Sequence, residues 1–406
     1  MVEWKEYRIK DLGEVVTGNT PPTSNREYYG TEYKFIKPTD MVEGQRFVST
    51  TEEYYSELAY QKYKKCLLPP KTPCVVTIGS LGKKMCLTDT ECFTNQAVNA
   101  VIPNKENDGE FLYYAFKASV LAYVKQLDSG TTSGRENVSK SSFSKIKVRV
   151  PPLPTQQKIA SILSAYDNLI QNYKKQIEAL QTGACELYKE WFVRFRFPGY
   201  QTAEFENGIP EGWKIERIGN IGEVIGGGTP STENEEYWDG DIPWLSPVDL
   251  SDNTNVYVSR GGKNITKLGL QKSSAKMMPK DTVLLSSRAP VGYVALAKNP
   301  ICTNQGFKSV VCNTSVIQPI YLYFYFRMNK NYLQSIASGA TFPELSGSMM
   351  KKLKVLLPQM ELQKEFSKKA NIFISKAELL SEQITNLTQQ RDLLLPRLMR
   401  GALEVH

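Results

Sequence analysis

The sequence predicts an α+β protein made of two duplicated domains, each followed by a long helix. Three observations predict this. A stretch opening Trp4-Lys5 returns at Trp213-Lys214, an offset of 209 residues. Short β-branched runs alternate with helical periodicities inside each copy, and a heptad pattern follows each copy. A period this long denotes duplicated domains, not a solenoid of short repeats.

The duplication can be followed residue by residue. Arg8-Ile9, Leu12-Gly13-Glu14-Val15, Gly18 and Thr20-Pro21 recur as Arg217-Ile218, Ile221-Gly222-Glu223-Val224, Gly227 and Thr229-Pro230. Tyr28, Asp40 and Thr94-Asn95-Gln96 recur as Tyr237, Asp249 and Thr303-Asn304-Gln305. Ser129-Gly130 with Thr132 returns as Ser338-Gly339 with Thr341, after which the offset drops to 207. Residues 74–78, 97–101 and 283–286 are β-branched runs bounded by Gly and Pro, so they predict strands. Residues 53–66 and 111–127 have helical spacing. Strands and helices without a steady βαβ rhythm predict an α+β domain.

From residue 155 to about 191 the chain lacks proline, and apolar residues follow a 3-4 spacing. Leu163, Tyr166, Ile170, Tyr173, Ile177 and Leu180 occupy a and d sites of one register. The same register, 207 residues on, holds Phe373, Leu380, Ile384 and Leu387, with Arg391 on one core site. Thr155, after Pro154, is a candidate N-cap. Gly183 weakens the end of the first helix, and Pro396 should end or kink the second. Helices of about 35 residues are roughly 50 Å long. Two register-matched seams are expected to pack on each other, parallel or antiparallel. The alternative is that each packs only on its own domain.

Composition narrows the function. Of 406 residues, 41% are hydrophobic and 23% charged, ordinary for a globular protein. A net charge of +8 suits a polyanionic partner. No apolar run of membrane-spanning length exists, and the N-terminus lacks the apolar stretch of a signal peptide. Cys66, Cys74, Cys86, Cys92, Cys185, Cys302 and Cys312 form an odd set without CxxC spacing, expected to be free thiols in a reducing cytoplasm. The single histidine, His406, is the last residue, so triads and histidine-built zinc sites have no positioned imidazole.

No catalytic motif emerges. Residues 79–84 lack the spacing and hydroxyl of a P-loop. Gly226-Gly227-Gly228 is expected to be a turn, and Asn299-Pro300-Ile301 a plain loop. Asp40 and Asp249 could be stretched into a nuclease metal site, but their Pro-X context predicts turns. The remaining polar loop residues suit DNA. Arg26, Lys83, Lys84, Arg135, Arg288 and Lys308 can meet phosphates or guanine. Asn95, Gln96, Asn304 and Gln305 can pair with adenine edges, accompanied by Thr132 and Thr341. Residues shared by both copies cannot distinguish two different half-sites, so Thr94-Asn95-Gln96 and its copy should be scaffold, turn or phosphate contacts. Base discrimination should lie where the copies differ: residues 79–84 against 288–292, 134–136 against 342–343, and Arg26 against Glu235.

The paired Trp-Lys openings, the Gly-x-Thr-Pro and Thr-Asn-Gln segments, and Pro151-Pro152-Leu153-Pro154-Thr155-Gln156-Gln157 before a long helix resemble the specificity (S) subunit of type I restriction-modification enzymes. So do the linkers Trp191-Phe192-Val193-Arg194-Phe195-Arg196-Phe197 and Ile209-Pro210-Glu211-Gly212-Trp213. The resemblance covers essentially the whole chain; Pro358-Gln359-Met360 departs from the Pro-Pro-Leu form. It implies two α/β target recognition domains separated by two helices in an antiparallel coiled coil, with pseudo-two-fold symmetry. The expected division is 1–152 and 196–357 for the domains, the latter with its linker, and 153–195 and 358–406 for the helices. The resemblance implies a non-catalytic, cytoplasmic subunit that binds double-stranded DNA and carries no cofactor of its own. Two modification subunits would use S-adenosylmethionine, and restriction subunits ATP and Mg. The competing expectations are a coiled-coil scaffold for two protein-binding modules and a solitary DNA-modifying enzyme.

Overall fold

The computed structural model describes residues 3–127, 137–251, 255–339, 343–403 and 405. The chain divides into two compact units, Met1–Asn172 with Ile384–His406, and Tyr173–Gln383. Each unit therefore contains one globular domain and part of each long helix.

In the first unit, strands Gly13–Thr17, Val98–Pro103, Pro73–Val76 and Met85–Leu87 lie in that order in an antiparallel sheet. Strand Tyr29–Ile36 pairs antiparallel with Glu53–Tyr55 and parallel with Cys92–Thr94. Lys5–Arg8 pairs with Lys147–Val150, bringing the domain's two ends together. The second unit repeats this plan. Gly222–Gly226, Lys308–Cys312, Val283–Leu285 and Val294–Ala297 form its main sheet, extended by Tyr257–Val258, and Lys214–Arg217 pairs with Lys354–Leu357. The predicted strands at 74–78, 97–101 and 283–286 are all present within a residue or two. Among the described residues no helix is long and apolar enough to cross a membrane.

One expectation needs correction and one a refinement. Residues 53–66 are not one helix: Glu53–Tyr55 is a strand and the helix is Glu57–Tyr63. The Ser56 hydroxyl accepts a 3.2 Å hydrogen bond from the Ala59 amide, and this cap fixes the helix start. Residues 111–127 do form a helical stretch, but with a π turn at Phe116–Val120 between Gly109–Ala115 and Leu121–Gln126.

The long helices run Leu153–Phe192 and Met360–Met399, 40 residues each and offset by 207 throughout. The first begins before Thr155, which lies inside the first turn; its amide donates to the Pro152 carbonyl at 2.9 Å. Pro396 does not end the second helix. It sits on the exposed face of the last turn, and the Arg400 amide still reaches its carbonyl at 3.2 Å. Gly183 lies well inside the first helix, where a Cβ would come within 3.1 Å of the Phe373 ring.

The open question of helix direction is answered inside each unit. In the first, Asp167 near the start of one helix meets Arg391 near the end of the other, at 2.6 Å. In the second, Tyr188 packs on Phe366 with ring centroids 5.8 Å apart. Beginning meets end in both, so the helices pair antiparallel. Leu163, Ile170 and Ile177 are buried and Tyr166, Tyr173 and Leu180 half-buried; in the second helix Leu380 is buried and Phe373, Ile384 and Leu387 half-buried.

One residue docks each helix on its domain. Gln156 is buried; its side-chain oxygen accepts from the Asp108 amide at 2.9 Å and its nitrogen donates to the Pro151 carbonyl at 2.9 Å. Gln363 repeats both bonds, from the Gln318 amide at 3.0 Å and to the Pro358 carbonyl at 2.9 Å. Each links the first turn of a long helix to the start of the domain's own buried helix. Replacing either glutamine by leucine strands several buried backbone groups. We expect a loss of about 1–3 kcal/mol per site, measured as a lower urea midpoint; an unchanged midpoint would show that these bonds add nothing.

Candidate nucleic-acid interface

The duplicated Thr-Asn-Gln segment is built identically in both domains. In the first, the Asn19 amide donates to the Thr94 carbonyl at 2.9 Å, and a Cβ on Gly18 would lie 2.0 Å from the same oxygen. In the second, a Cβ on Gly227 would lie 2.1 Å from the Asn304 carbonyl oxygen. Only glycine permits this approach of two loops, which explains why both copies have it. The Asn95 side-chain oxygen accepts from the Ala97 amide at 3.1 Å, and that of Asn304 from the Gly306 amide at 2.8 Å. The Thr20 hydroxyl donates to the Gln96 side-chain oxygen, and Thr229 does the same to Gln305. Each exposed glutamine is thus held through its oxygen, with its two N–H donors available to an acceptor on a ligand.

The copies diverge around this shared staple. In the first domain, Gly79, Ser80 and Gly82 adopt positive φ and carry the chain into exposed Lys83. Lys84 is engaged internally, donating to the Pro38 carbonyl at 2.8 Å. Arg26 is exposed on a single 3-10 turn, Arg26–Tyr28. In the second domain, Arg288 stands where Gly79 is in the first. It lines a cleft of about 710 Å³ with Asn304, Val248, Pro290, Gln334 and Pro343. Arg288 is half-buried, and no described carboxylate forms an ion pair with it. Lys308 replaces the buried Asn99 of the first copy; it is half-buried and paired with Glu344 at 3.3 Å. Thr132, Arg135 and Thr341 lie outside the described residues.

Among the described residues the two candidate metal-site carboxylates are engaged elsewhere. Asp40 accepts from the Lys37 and Glu52 amides at 2.7 and 2.9 Å. Asp249 accepts from Ser246 and Gly262, both at 2.7 Å. Both carboxylates are spent on turn amides, as the Pro-X context predicts. Among the described residues no three His, Cys, Asp or Glu side chains gather as metal ligands. Burial raises the thiols of Cys302 to about 11 and Cys312 to about 12, and raises Cys92 and Cys185 as well. Such thiols are inert, whereas a nucleophilic cysteine has a lowered value.

These thiols set an alkaline limit. Their folded values lie above the unfolded thiol, near 8.5. The stability they contribute is therefore complete below that pH and is lost as pH rises through the folded values. The urea midpoint should hold steady from pH 7 to about 8.5 and decline beyond it. A midpoint that rises across this window would contradict the assignment.

Sequence reasoning missed three features. The apolar wall of the second-domain cleft, including exposed Val248, left no periodic signal. The docking role of Gln156 and Gln363 left only a shared offset of 207 as its signal, and glutamine does not mark a helix start. The partner of Arg391 was invisible because Asp167 lies 224 residues away.

Similarity to known proteins decides what the duplicated loops belong to. Residues 1–182 and 210–389 match the type I restriction modification DNA specificity domain. The chain belongs to this family. It is a DNA-specificity subunit with two recognition domains, not a catalytic subunit. The type I restriction enzyme MjaIX specificity subunit of Methanocaldococcus jannaschii is 47% identical over 161 residues, a match spanning 39% of this chain and 37% of that protein. The HindI specificity subunit of Haemophilus influenzae is 23% identical over 99% of this chain and its own full length. The crystal structure of the S subunit from M. genitalium superposes with a TM-score of 0.64 at 18% identity, covering 98% of this chain and 96% of that one. That likeness establishes the fold.

Proposed function

We propose that each globular domain of this specificity subunit reads one part of a split, asymmetric DNA sequence. The paired helices fix the gap between the parts. The domains comprise 1–152 and 196–357 and the helices 153–195 and 358–406. The observation that carries this is one Thr–Gln staple in both domains, flanked by loops that differ. The shared glutamines, Gln96 and Gln305, with Asn95 and Asn304 behind them, position the backbone. Arg26 and Lys83 in the first domain, and Arg288 in the second, face base edges or phosphates. Thr132, Arg135 and Thr341 are assigned to DNA from the sequence alone, and Lys84 and Lys308 would have to leave the Pro38 carbonyl and Glu344 to reach it. Arg288, over an apolar cleft and without an ion-pair partner among the described residues, suits a bidentate contact to guanine beside a thymine methyl.

The chain directs chemistry performed by others in the cytoplasm. Two modification subunits bind S-adenosylmethionine and methylate adenine, and restriction subunits use ATP and Mg to translocate and cleave DNA. Ile372 and Leu379 are 69% and 47% exposed and lie one heptad apart on the second long helix, an apolar strip suited to a modification subunit. Arg288→Ala, in the assembled methyltransferase, should cost about 1–3 kcal/mol of discrimination at one base pair of the second half-site. Competition binding with single-base variants measures this. Unchanged preference at every position of that half-site would remove Arg288 from base reading.

A further inference from the structure

We propose that the buried faces of the two helix ends encode which halves pair, so that each half of this chain accepts the unlike half and rejects its own copy. Two independent differences between the units carry this.

The first is polar. In the first unit Arg391 donates to Asp167 at 2.6 Å, and the Tyr114 hydroxyl donates to the other Asp167 oxygen, also at 2.6 Å. The two charged side chains are only 10% and 9% exposed. The equivalent positions of the second unit are Ala184, Ile374 and Phe324, all buried; Tyr114 and Phe324 correspond because each lies six residues beyond the amide held by the docking glutamine, Asp108 and Gln318. An arginine, an aspartate and a hydroxyl have been exchanged together for three apolar groups, so each set is complete only with its own partners.

The second difference is size. In the second unit Tyr188, Trp191 and Phe192 pack around Phe366, with centroids 5.0–6.0 Å apart. Their equivalents in the first unit are Leu395, Leu398 and Met399, and Ile159 stands for Phe366; Leu395, Leu398 and Ile159 are buried in one cluster. One site is shaped for three aromatic rings and the other for aliphatic side chains.

Pairing like halves breaks both matches. Two first halves would set Asp167 against Ala184 and force the aromatic ends into the aliphatic site. Two second halves would bury Arg391 against Ile374 and leave voids where the rings belong. Each fault occurs twice in a two-fold pair. An uncompensated buried charge is strongly destabilising, whereas an apolar replacement of the whole set is tolerated.

The test uses the full chain, nicked after folding. The exposed hairpin turn Asn207-Gly208, between strands Phe205–Glu206 and Ile209–Pro210, accepts a protease site. After cleavage, the fragments are unfolded in urea, refolded together and weighed by native mass spectrometry. We expect mixed pairs to exceed like pairs by about 100-fold or more. In the Tyr114→Phe/Asp167→Ile/Arg391→Ala triple variant, like pairs of the 208–406 fragment should increase at least about 10-fold. A statistical mixture from the nicked natural chain would overturn the proposal, as would fragments that do not re-pair. A triple variant that refolds only as mixed pairs would remove the polar set from the code.

Discussion

Arg391→Ala lowers the unfolding free energy by about 3–5 kcal/mol, because it leaves the Asp167 carboxylate buried without its cation. The geometry gives the residue this weight. Arg391 sits on a seam position that is apolar in the other helix, with its second edge on Asp392 at 2.7 Å. Among the described residues, Asp167 keeps the Tyr114 hydroxyl as its hydrogen-bond donor once the guanidinium is gone. Burial also raises the Tyr114 hydroxyl well above its usual range, so it stays a neutral donor and cannot replace the lost charge. Replacing Tyr114, Asp167 and Arg391 together by Phe, Ile and Ala should recover most of the loss, since the second unit folds around that apolar set. Urea denaturation of the two variants beside the natural chain measures both effects. A single variant within about 0.5 kcal/mol of the natural chain would show that the pair is not a structural element.

Inserting seven residues into each long helix, at matched positions near its middle, should change the DNA target without changing its half-sites. Seven residues add about 10 Å of helix. That is about three base pairs at ~3.4 Å each. A heptad preserves the faces of both helices, so Tyr188, Trp191 and Phe366 in one unit and Asp167 and Arg391 in the other remain paired. The complex carrying this chain should then methylate a sequence whose two parts are the same and whose gap is longer by about three base pairs. A four-residue insertion, which rotates the faces, should instead abolish methylation. A changed half-site sequence would count against helices that only set spacing.

Much of this fold is visible in the sequence because duplication supplies its own control. Trp4 and Trp213 mark the domain starts, and the constant offset of 207 between the long helices gives their equal lengths. Local capping defeated the expectation at residues 53–66. The apolar spacing there is helical, but Ser56 starts the helix late and Tyr55 is fully buried as part of a strand. Pro396 does not stop the second helix, because a missing amide in an exposed final turn removes little. The candidate site was partly visible. Shared Thr-Asn-Gln segments announced a scaffold, and the structure shows the glycine contacts and hydroxyl–amide bonds that make it one. Which cations are internally paired was not legible: Lys84 and Lys308 reach partners 46 and 36 residues away, whereas Arg288 opens on a cleft. Such long-range pairings leave no mark on local sequence.

The most direct measurement is base-resolution mapping of methylated adenine in cells that carry this chain with its modification partner, against cells lacking only this chain. Two dissimilar readers on one chain predict a single chain-dependent motif made of two different parts separated by a fixed unspecified gap. An uninterrupted motif, a motif with two identical halves, or no chain-dependent methylation would contradict it.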